Sequence, residues 1–382
     1  MITVDQALKL LDEHKPDWGD EQLPLGKITG RRLAQDITAP YSHPKAAVSV
    51  MDGYAFRMQD GDKTLELIGE SRAGEAFDGQ VLAGQAIRIF TGALLPKGAD
   101  SVKMQENAIL KDARVSFSSL STHRTFVRKA GSDFAKGDLL FRKGEIITPA
   151  MILALATCNM KTVAVKRAPS IALLSSGDEL RPVGSSLKEG QIVNSISPAL
   201  LALLTQWGAQ LIELGIAKDT PEDIAAKLQN CGADIIVPIG GASVGKYDFM
   251  QSVAKSLDFT PVFSKIAVKP GKPTWFSKRH NQCIIGLPGN PSSAWVCAHI
   301  FLKRLIQGPQ DFETGTLDHA LNANGARESF LRGERLPNGR IQVLDRQDSG
   351  LVMPLSRATI LIRRGVNALE IKSGESADYI AL

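Results

Sequence analysis

Apolar and polar positions recur with two different periods along this chain, and the changes of period mark its organisation. At residues 1–15, Val4, Ala7, Leu8 and Leu11 fall on one helical face, and Thr3 with Gln6 has the form of a capping box, so the spacing predicts an N-terminal helix. Over residues 25–147 the pattern shortens to alternating runs (TLELI, AIRIF, SVKMQE, ARVSF, LLFRK) separated by glycine turns, which predicts a β-rich unit. Thr148 followed by Pro149 has the order of an N-cap and a first helical residue; AMILALATC continues as a helix and VAVKR as a strand. The helical parts at 1–24 and 148–168 are expected to pack together around the inserted β unit.

From residue 169 a strand–helix rhythm begins. IALLS (171–175) is a strand. SPALLALLTQW (197–207) is a helix with Ser197 at the N-cap and Pro198 at the first position. QLIELGI (210–216) is a strand, TPEDIAAKLQN (220–230) a helix capped by Thr220, and IIVPI (235–239) a strand. A helix starts near Asp248; PVFSKIAVK (261–269) and QCIIGL (282–287) are strands, and Asn290-Pro291 opens a long helix. Strands alternating with helices predict βαβ units and a parallel sheet covered on both faces. Short runs at the end (RESFLRG, RIQVLD, ATILIRR, ALEIKSG) predict a small β-barrel-like domain. The expected fold is therefore α/β and multidomain: a small helical linker domain at 1–24 and 148–168, a β-rich inserted domain at 25–147, a central parallel-sheet α/β domain at 169–310, and the C-terminal β domain at 311–382.

A chain of 382 residues can hold several cores, and 43% hydrophobic with 22% charged residues is ordinary for a soluble globular protein. The net charge of +5 is spread, with no basic stripe interleaved with aromatics, which argues against nucleic-acid binding. No apolar run reaches the length of a membrane span, and the N-terminus lacks a signal-peptide layout, so a cytoplasmic location is expected. Cys158, Cys231, Cys283 and Cys297 are far apart and form no CxxC, which reads as buried core thiols. The six histidines show no ligand spacing, and no Ser-His-Asp or GxSxG arrangement stands out.

Chemistry concentrates in the loops after strands. In open α/β sheets, ligands bind outside the carboxyl ends of the strands. The turn Gly240-Gly241-Ala242-Ser243-Val244-Gly245 follows the strand at 235–239 and brings flexible backbone to such a crevice. It nearly matches a P-loop, but Tyr247 stands where that motif needs Ser or Thr for Mg²⁺, so an anion-binding turn of another kind is favoured over a nucleotide hydrolase. Ser176-Gly177-Asp178-Glu179 places two acids beyond a buried strand; they suit Mg²⁺, against the plain alternative of loop capping. Lys265 and Lys269 share a face if 261–269 is one strand, and Lys272 follows the Pro270-Gly271 turn; convergent ammonium groups suit an oxyanion, against a solvated edge strand. Pro288, Gly289, Asn290, Pro291 and Ser292 form a rigid turn into a helix N-terminus. In the β-rich unit, Asp52 and Thr91 sit beside glycines, each alone an ordinary turn.

Taken in order, MDGYAF, IRIFTGALLPKGAD, SSGDEL, GGASVGKYDF, VKPGKPTWF and GLPGNPSSA resemble the molybdopterin molybdenumtransferase family (the MoeA and gephyrin E-domain family) over nearly the whole chain. The resemblance implies an elongated homodimer of four-part subunits, with the site where the α/β domain, as the molybdopterin-binding domain, meets parts of the partner subunit. It implies Mg²⁺-dependent insertion of molybdate into adenylylated molybdopterin, yielding molybdenum cofactor and AMP, with the molybdopterin adenylyltransferase as a candidate partner. By position, Asp52, Thr91, Glu179 and Asp248 match the family's catalytic residues. Glu179, Asp219, Asp248 and Asp133 match its metal and functional carboxylates. Lys265, Lys269 and Lys272 match oxyanion and phosphate contacts, and Pro288 and Pro291 match shapers of the site loop. Ser176, Gly177, Asp178, Gly240, Gly241, Ser243, Gly245, Gly289, Asn290 and Ser292 complete the substrate-binding set. The sequence departs from the family at Ala46-Ala47-Val48-Ser49, where a Phe-Asp-Asn-Ser-like run is usual, and at Asn194-Ser195-Ile196, where a polar triplet ending in Asn is usual. Those losses set a second reading beside the first: a non-catalytic or altered-activity paralogue that binds molybdopterin or its cofactor.

Overall fold

The computed structural model describes residues 1–118, 125–241 and 249–382. They form two compact units, one of residues 1–21 and 166–382, the other of residues 22–165.

The first unit is built on a six-stranded sheet. Its order is Gln210–Ala217, Ser170–Ser176, Ile235–Ile239, Gln282–Gly286, Trp275–Arg279 and Thr260–Phe263. The central strands carry apolar residues on both faces. Ile171, Leu173, Ile235 and Val237 pack into one core with Leu200, Leu204, Phe276 and Phe301. Ala172, Leu174 and Ile236 face the other core with Ile224, Leu228, Phe259 and Trp275. Strand side chains alternate between faces, so a strand buried on both sides must be apolar throughout. Each Leu or Ile fully removed from water contributes about 1.5–3 kcal/mol. Helix Val4–His14 joins the first of these cores through Val4, Ala7 and Leu11, while Leu8 is half-buried. Its capping box is present: Gln6 N–H donates to Thr3 Oγ1 at 3.1 Å and Thr3 N–H to Gln6 Oε1 at 2.9 Å.

The sheet is mixed rather than wholly parallel. The first four strands of that order run parallel. Trp275–Arg279 then pairs antiparallel with Gln282–Gly286, and Thr260–Phe263 antiparallel with Trp275–Arg279. The stretch 261–269 is not one strand. Thr260–Phe263 ends in this sheet, and Val268–Lys269 lies parallel to Glu328–Arg335 in a second sheet. Lys265 falls in the irregular connection, so even spacing does not put Lys265 and Lys269 on one extended face. The second sheet runs Val268–Lys269, Glu328–Arg335, Ile360–Arg364, Ser376–Ala381 and Glu313–Thr316, with Ile341–Val343 also on Glu328–Arg335. The run ALEIKSG contributes only a bridge at Ile371 to Leu321; the last strand is Ser376–Ala381.

Ser197 does not cap its helix. The helix runs Ile196–Gln206, and Ser197 is buried inside the first turn with its hydroxyl bonded to side chains. Proline is tolerated anywhere in that turn, because its missing N–H has no helical acceptor there. The other caps stand as expected: Thr220 accepts from Asp223 N–H, and Thr148 from Met151 N–H.

In the second unit, a six-stranded sheet runs Ser101–Met104, Gly53–Phe56, Gln85–Ile89, Leu65–Ser71, Arg114–Phe117 and Ala108–Lys111. Gly53 is required by this pairing, since a Cβ there would sit 1.9 Å from the Lys103 carbonyl oxygen. Strands Asp20–Pro24 and Thr162–Lys166 pair with each other. Of the parts at 1–24 and 148–168, the helices Val4–His14 and Pro149–Thr157 fall in different compact units, while the strands just named pair with each other. Among the described residues, no helix is long and apolar enough to cross a membrane.

Candidate functional site

The chain enters the first sheet on Ser170–Ser176, passes outward to Gln210–Ala217, then returns to the opposite side of Ser170–Ser176 as Ile235–Ile239. The loops leaving these strands therefore diverge, and the crevice between them is where an open α/β sheet binds its ligand. A cleft of about 610 Å³ opens at this point, lined by Ser175, Ser176, Glu179, Asn194, Asp219 and Gly240, among others.

Its walls follow from close backbone approach. Gly240 has φ +85°, and a Cβ there would lie 2.8 Å from the Ser176 carbonyl oxygen. Gly241 has φ +58°, in the same left-handed region that disfavours other residues. Gly240 N–H donates to the Leu287 carbonyl at 3.2 Å, and a Cβ on Gly289 would lie 3.4 Å from Gly240 Cα. The turns after two neighbouring strands thus meet at glycines, and Pro288, Gly289, Asn290 and Pro291 form the adjoining wall.

Two carboxylates share the cleft. Asp219 follows Gln210–Ala217, and its Oδ1 accepts from Ser176 Oγ at 2.5 Å. Its own N–H donates to Asp178 Oδ1 at 3.3 Å. Glu179 is exposed into the cleft, with its carbonyl held by Ile192 N–H at 2.9 Å. This donor set fits Mg²⁺, which takes one or two carboxylates and fills the rest of its octahedron with water and ligand phosphate. Among the described residues, no three His, Cys, Asp or Glu side chains gather into a closed protein cage.

The other expected residues are placed as follows. Gly177 and Asp178 lie on the Ser176–Glu179 loop, Gly177 lining the cleft and Asp178 bracing Asp219. Ser292 is turned away: it is fully buried and accepts from Arg332 Nη1 at 2.5 Å, and Ser293 lines the cleft instead. Lys265, Lys269 and Lys272 are not among the described lining residues; Lys269 and Lys272 are exposed and Lys265 half-buried. Ser243, Gly245 and Asp248 lie outside the described residues.

In the second unit, Asp52 and Thr91 do come together. Asp52 Oδ1 accepts from Thr91 N–H at 2.7 Å and from Thr91 Oγ1 at 2.8 Å. These two bonds, the backbone one foremost, hold the Asp52 carboxyl below the usual carboxylate range, with the nearby Arg88 charge acting in the same direction. Asp133 is exposed in the same unit, its N–H donating to the His43 carbonyl at 3.1 Å.

Sequence reasoning passed over Arg332, which is 2% exposed on Glu328–Arg335. Its guanidinium donates to Ser292 Oγ, to the Asp348 carbonyl at 3.1 Å and to the Arg346 carbonyl at 3.2 Å. It thereby ties the helix start beside the cleft to the loop 346–351. Burial holds this guanidinium below its ordinary range. Only its place in the strand run RESFLRG, two residues after Phe330 and so on the same face, hinted at an inward Arg.

Residues 2–159 match a family model described as MoeA N-terminal region (domain I and II), and residues 172–308 match one described as Probable molybdopterin binding domain. A Haemophilus influenzae protein named molybdopterin molybdenumtransferase is 37% identical over 315 residues, covering 80% of this chain and 77% of the relative. A Staphylococcus epidermidis protein of the same name is 28% identical over 99% of this chain and 95% of its own length. The crystal structure of the molybdopterin biosynthesis MoeA protein from Pyrococcus horikosii superposes with a TM-score of 0.85 at 28% identity, covering 100% of this chain and 99% of that one.

Proposed function

This chain belongs to the molybdopterin molybdenumtransferase family, and we propose that it is the enzyme that inserts molybdate into adenylylated molybdopterin in a Mg²⁺-dependent reaction, releasing AMP and forming molybdenum cofactor. The observation that carries this reading is the cleft at the reversal of strand order, where Glu179, Asp219 and Ser176 line the same space as the glycine turns at Gly240 and Gly289.

The substrate is a polyanion, and the cleft is suited to one. Close-approaching backbone at Gly240, Gly241 and Gly289 admits phosphate oxygens to within hydrogen-bond reach of N–H groups. Glu179 and Asp219 would hold the Mg²⁺, which when bound offsets phosphate charge and favours departure of AMP. Ser176 keeps Asp219 aimed into the cleft by its 2.5 Å hydrogen bond, and Asp178 holds the Asp219 backbone. The apolar side chains of Leu180, Ile192, Ile196 and Ile239 on the same lining give a flat heterocycle a surface to rest on and exclude water beside it.

In this reading Asp52 and Thr91 act in catalysis, Asp133 and Asp248 in metal and loop positioning, and Lys265, Lys269 and Lys272 in oxyanion and phosphate binding, with Ser243 and Gly245 on the same turn as Asp248. The working form is a cytoplasmic homodimer of four-part subunits, and the molybdopterin adenylyltransferase supplies the substrate. Glu179→Ala and Asp219→Ala test the assignment. Both are expected to lose molybdate-dependent AMP release by about a hundredfold or more while keeping the wild-type circular dichroism. Full activity in both variants would remove the cleft from the reaction.

A further inference from the structure

Ser175, Asn194 and Ser197 close a ring of side-chain hydrogen bonds at the floor of the cleft. Asn194 Nδ2 donates to Ser175 Oγ at 3.0 Å, Ser197 Oγ donates to Asn194 Oδ1 at 3.1 Å, and the two serine oxygens are 2.7 Å apart. Each hydroxyl has a single proton to give. Ser197 directs its proton to Asn194, so Ser175 must donate to Ser197, and the ring runs one way round. All three side chains are buried, at 1%, 8% and 5% exposure. A closed ring in such surroundings is stiff, because each bond polarises the next and any broken bond leaves a buried polar atom unpaired.

The ring joins the end of strand Ser170–Ser176, the segment entering the next helix, and the first turn of helix Ile196–Gln206. Next to it, Asn194 N–H donates to the Arg181 carbonyl at 2.8 Å, and Ile192 N–H to the Glu179 carbonyl at 2.9 Å. Successive strand residues face opposite ways. With Ser175 clamped to the ring, Ser176 is left facing Asp219.

We propose that this ring is a positioning device for the cleft, with Asn194 as its key: it sets the strand end so that Ser176 orients the Asp219 carboxylate toward the substrate. Asn194 is the only member that both donates and accepts through separate atoms, so no serine can replace it. The kinetic consequence rests on the function proposed above; the geometric claim stands apart from it.

The test is Asn194→Leu, which keeps the branched skeleton of the side chain but has no polar atoms, alone and combined with Ser176→Ala. The expected result is a fall in kcat of about ten- to hundredfold with KM for adenylylated molybdopterin within about threefold, as misplacement of a reacting group produces. In the Ser176→Ala background the same change is expected to cost less than about twofold, since both act through one hydroxyl. Losses that multiply in full would overturn the proposal. Should Asn194→Leu fail to fold, Ser197→Ala removes one ring member at smaller cost and carries the same comparison. A crystal structure of the foldable variant supplies the arm independent of turnover: Ser176 Oγ is expected beyond hydrogen-bond distance of Asp219. If the pair persists, the ring has no positioning role. If wild-type protein shows no molybdate-dependent turnover while the pair separates in the variant, the ring stands and the proposed reaction falls.

Discussion

Ser176 Oγ donates to Asp219 Oδ1 across 2.5 Å, linking the ends of two adjacent parallel strands beside the point where the strand order reverses. The bond aims one carboxylate into the cleft that Glu179 also lines. Asp219→Asn retains an acceptor for Ser176 and loses only the charge. The fold is expected to be unchanged, and Mg²⁺ affinity, read by isothermal titration, to fall by at least about tenfold, the loss typical of disturbing even a partner one step from a metal. Unaltered Mg²⁺ binding would show that Asp219 only shapes the loop.

Gly240→Ala is expected to destabilise the first unit. Its φ of +85° is unfavourable for alanine, and the added carbon would stand 2.8 Å from the Ser176 carbonyl oxygen. A cost of about 1–3 kcal/mol is expected in urea denaturation. Gly289→Ala, whose nearest contact would be 3.4 Å, is expected to cost under about 1 kcal/mol.

Thr91→Val removes the hydroxyl donor to Asp52 and leaves the backbone N–H donor in place. The Asp52 carboxyl is expected to rise part of the way toward the ordinary value of about 3.9, read by NMR titration. The sign follows from a depressed carboxyl. Its contribution to stability is present above about pH 4 and is lost as pH falls through the folded value, so the variant is expected to lose less on acidification than wild type. An unchanged Asp52 titration in Thr91→Val would show that the hydroxyl contributes nothing to holding the carboxylate.

Arg332→Met keeps the apolar stem and removes the guanidinium. The carbonyls of Arg346 and Asp348 and the Ser292 hydroxyl then lose their donor. A loss of about 2–3 kcal/mol in chemical denaturation is expected, with faster amide exchange in residues 346–351. Protection equal to wild type would mean that the loop is held by other contacts.

The central α/β architecture was readable because its strands are apolar on both faces and its helices carry explicit caps, as at Thr3 and Thr220. What escaped reading was long-range pairing. PVFSKIAVK has uniform β-like character, and no local feature marks that Phe263 and Val268 serve different sheets. Trp275–Arg279 was likewise passed over as the partner that makes the sheet mixed. Ser197 and Pro198 match a helix start perfectly well, yet Ser197 is committed to Ser175 and Asn194, a tertiary contact that outweighs the cap. In the cleft, Glu179, Gly240 and Pro288 were marked by their place after strands, and Asp219 by the family resemblance alone. Ser292 and Arg332 were not, since whether a loop serine faces a cleft or a buried guanidinium depends on a sheet contributed 40 residues away. All four cysteines are buried, as core thiols should be, and burial pushes Cys297 up to about 12.

The most direct test is a single-turnover reaction of the purified protein with adenylylated molybdopterin, omitting Mg²⁺ and molybdate in turn, with AMP and molybdenum cofactor quantified together. The expected result is stoichiometric AMP and cofactor only when both are supplied, and neither product from Glu179→Ala. Tight binding of the pterin with no AMP release under any combination would contradict the proposed reaction and leave a binding protein in its place.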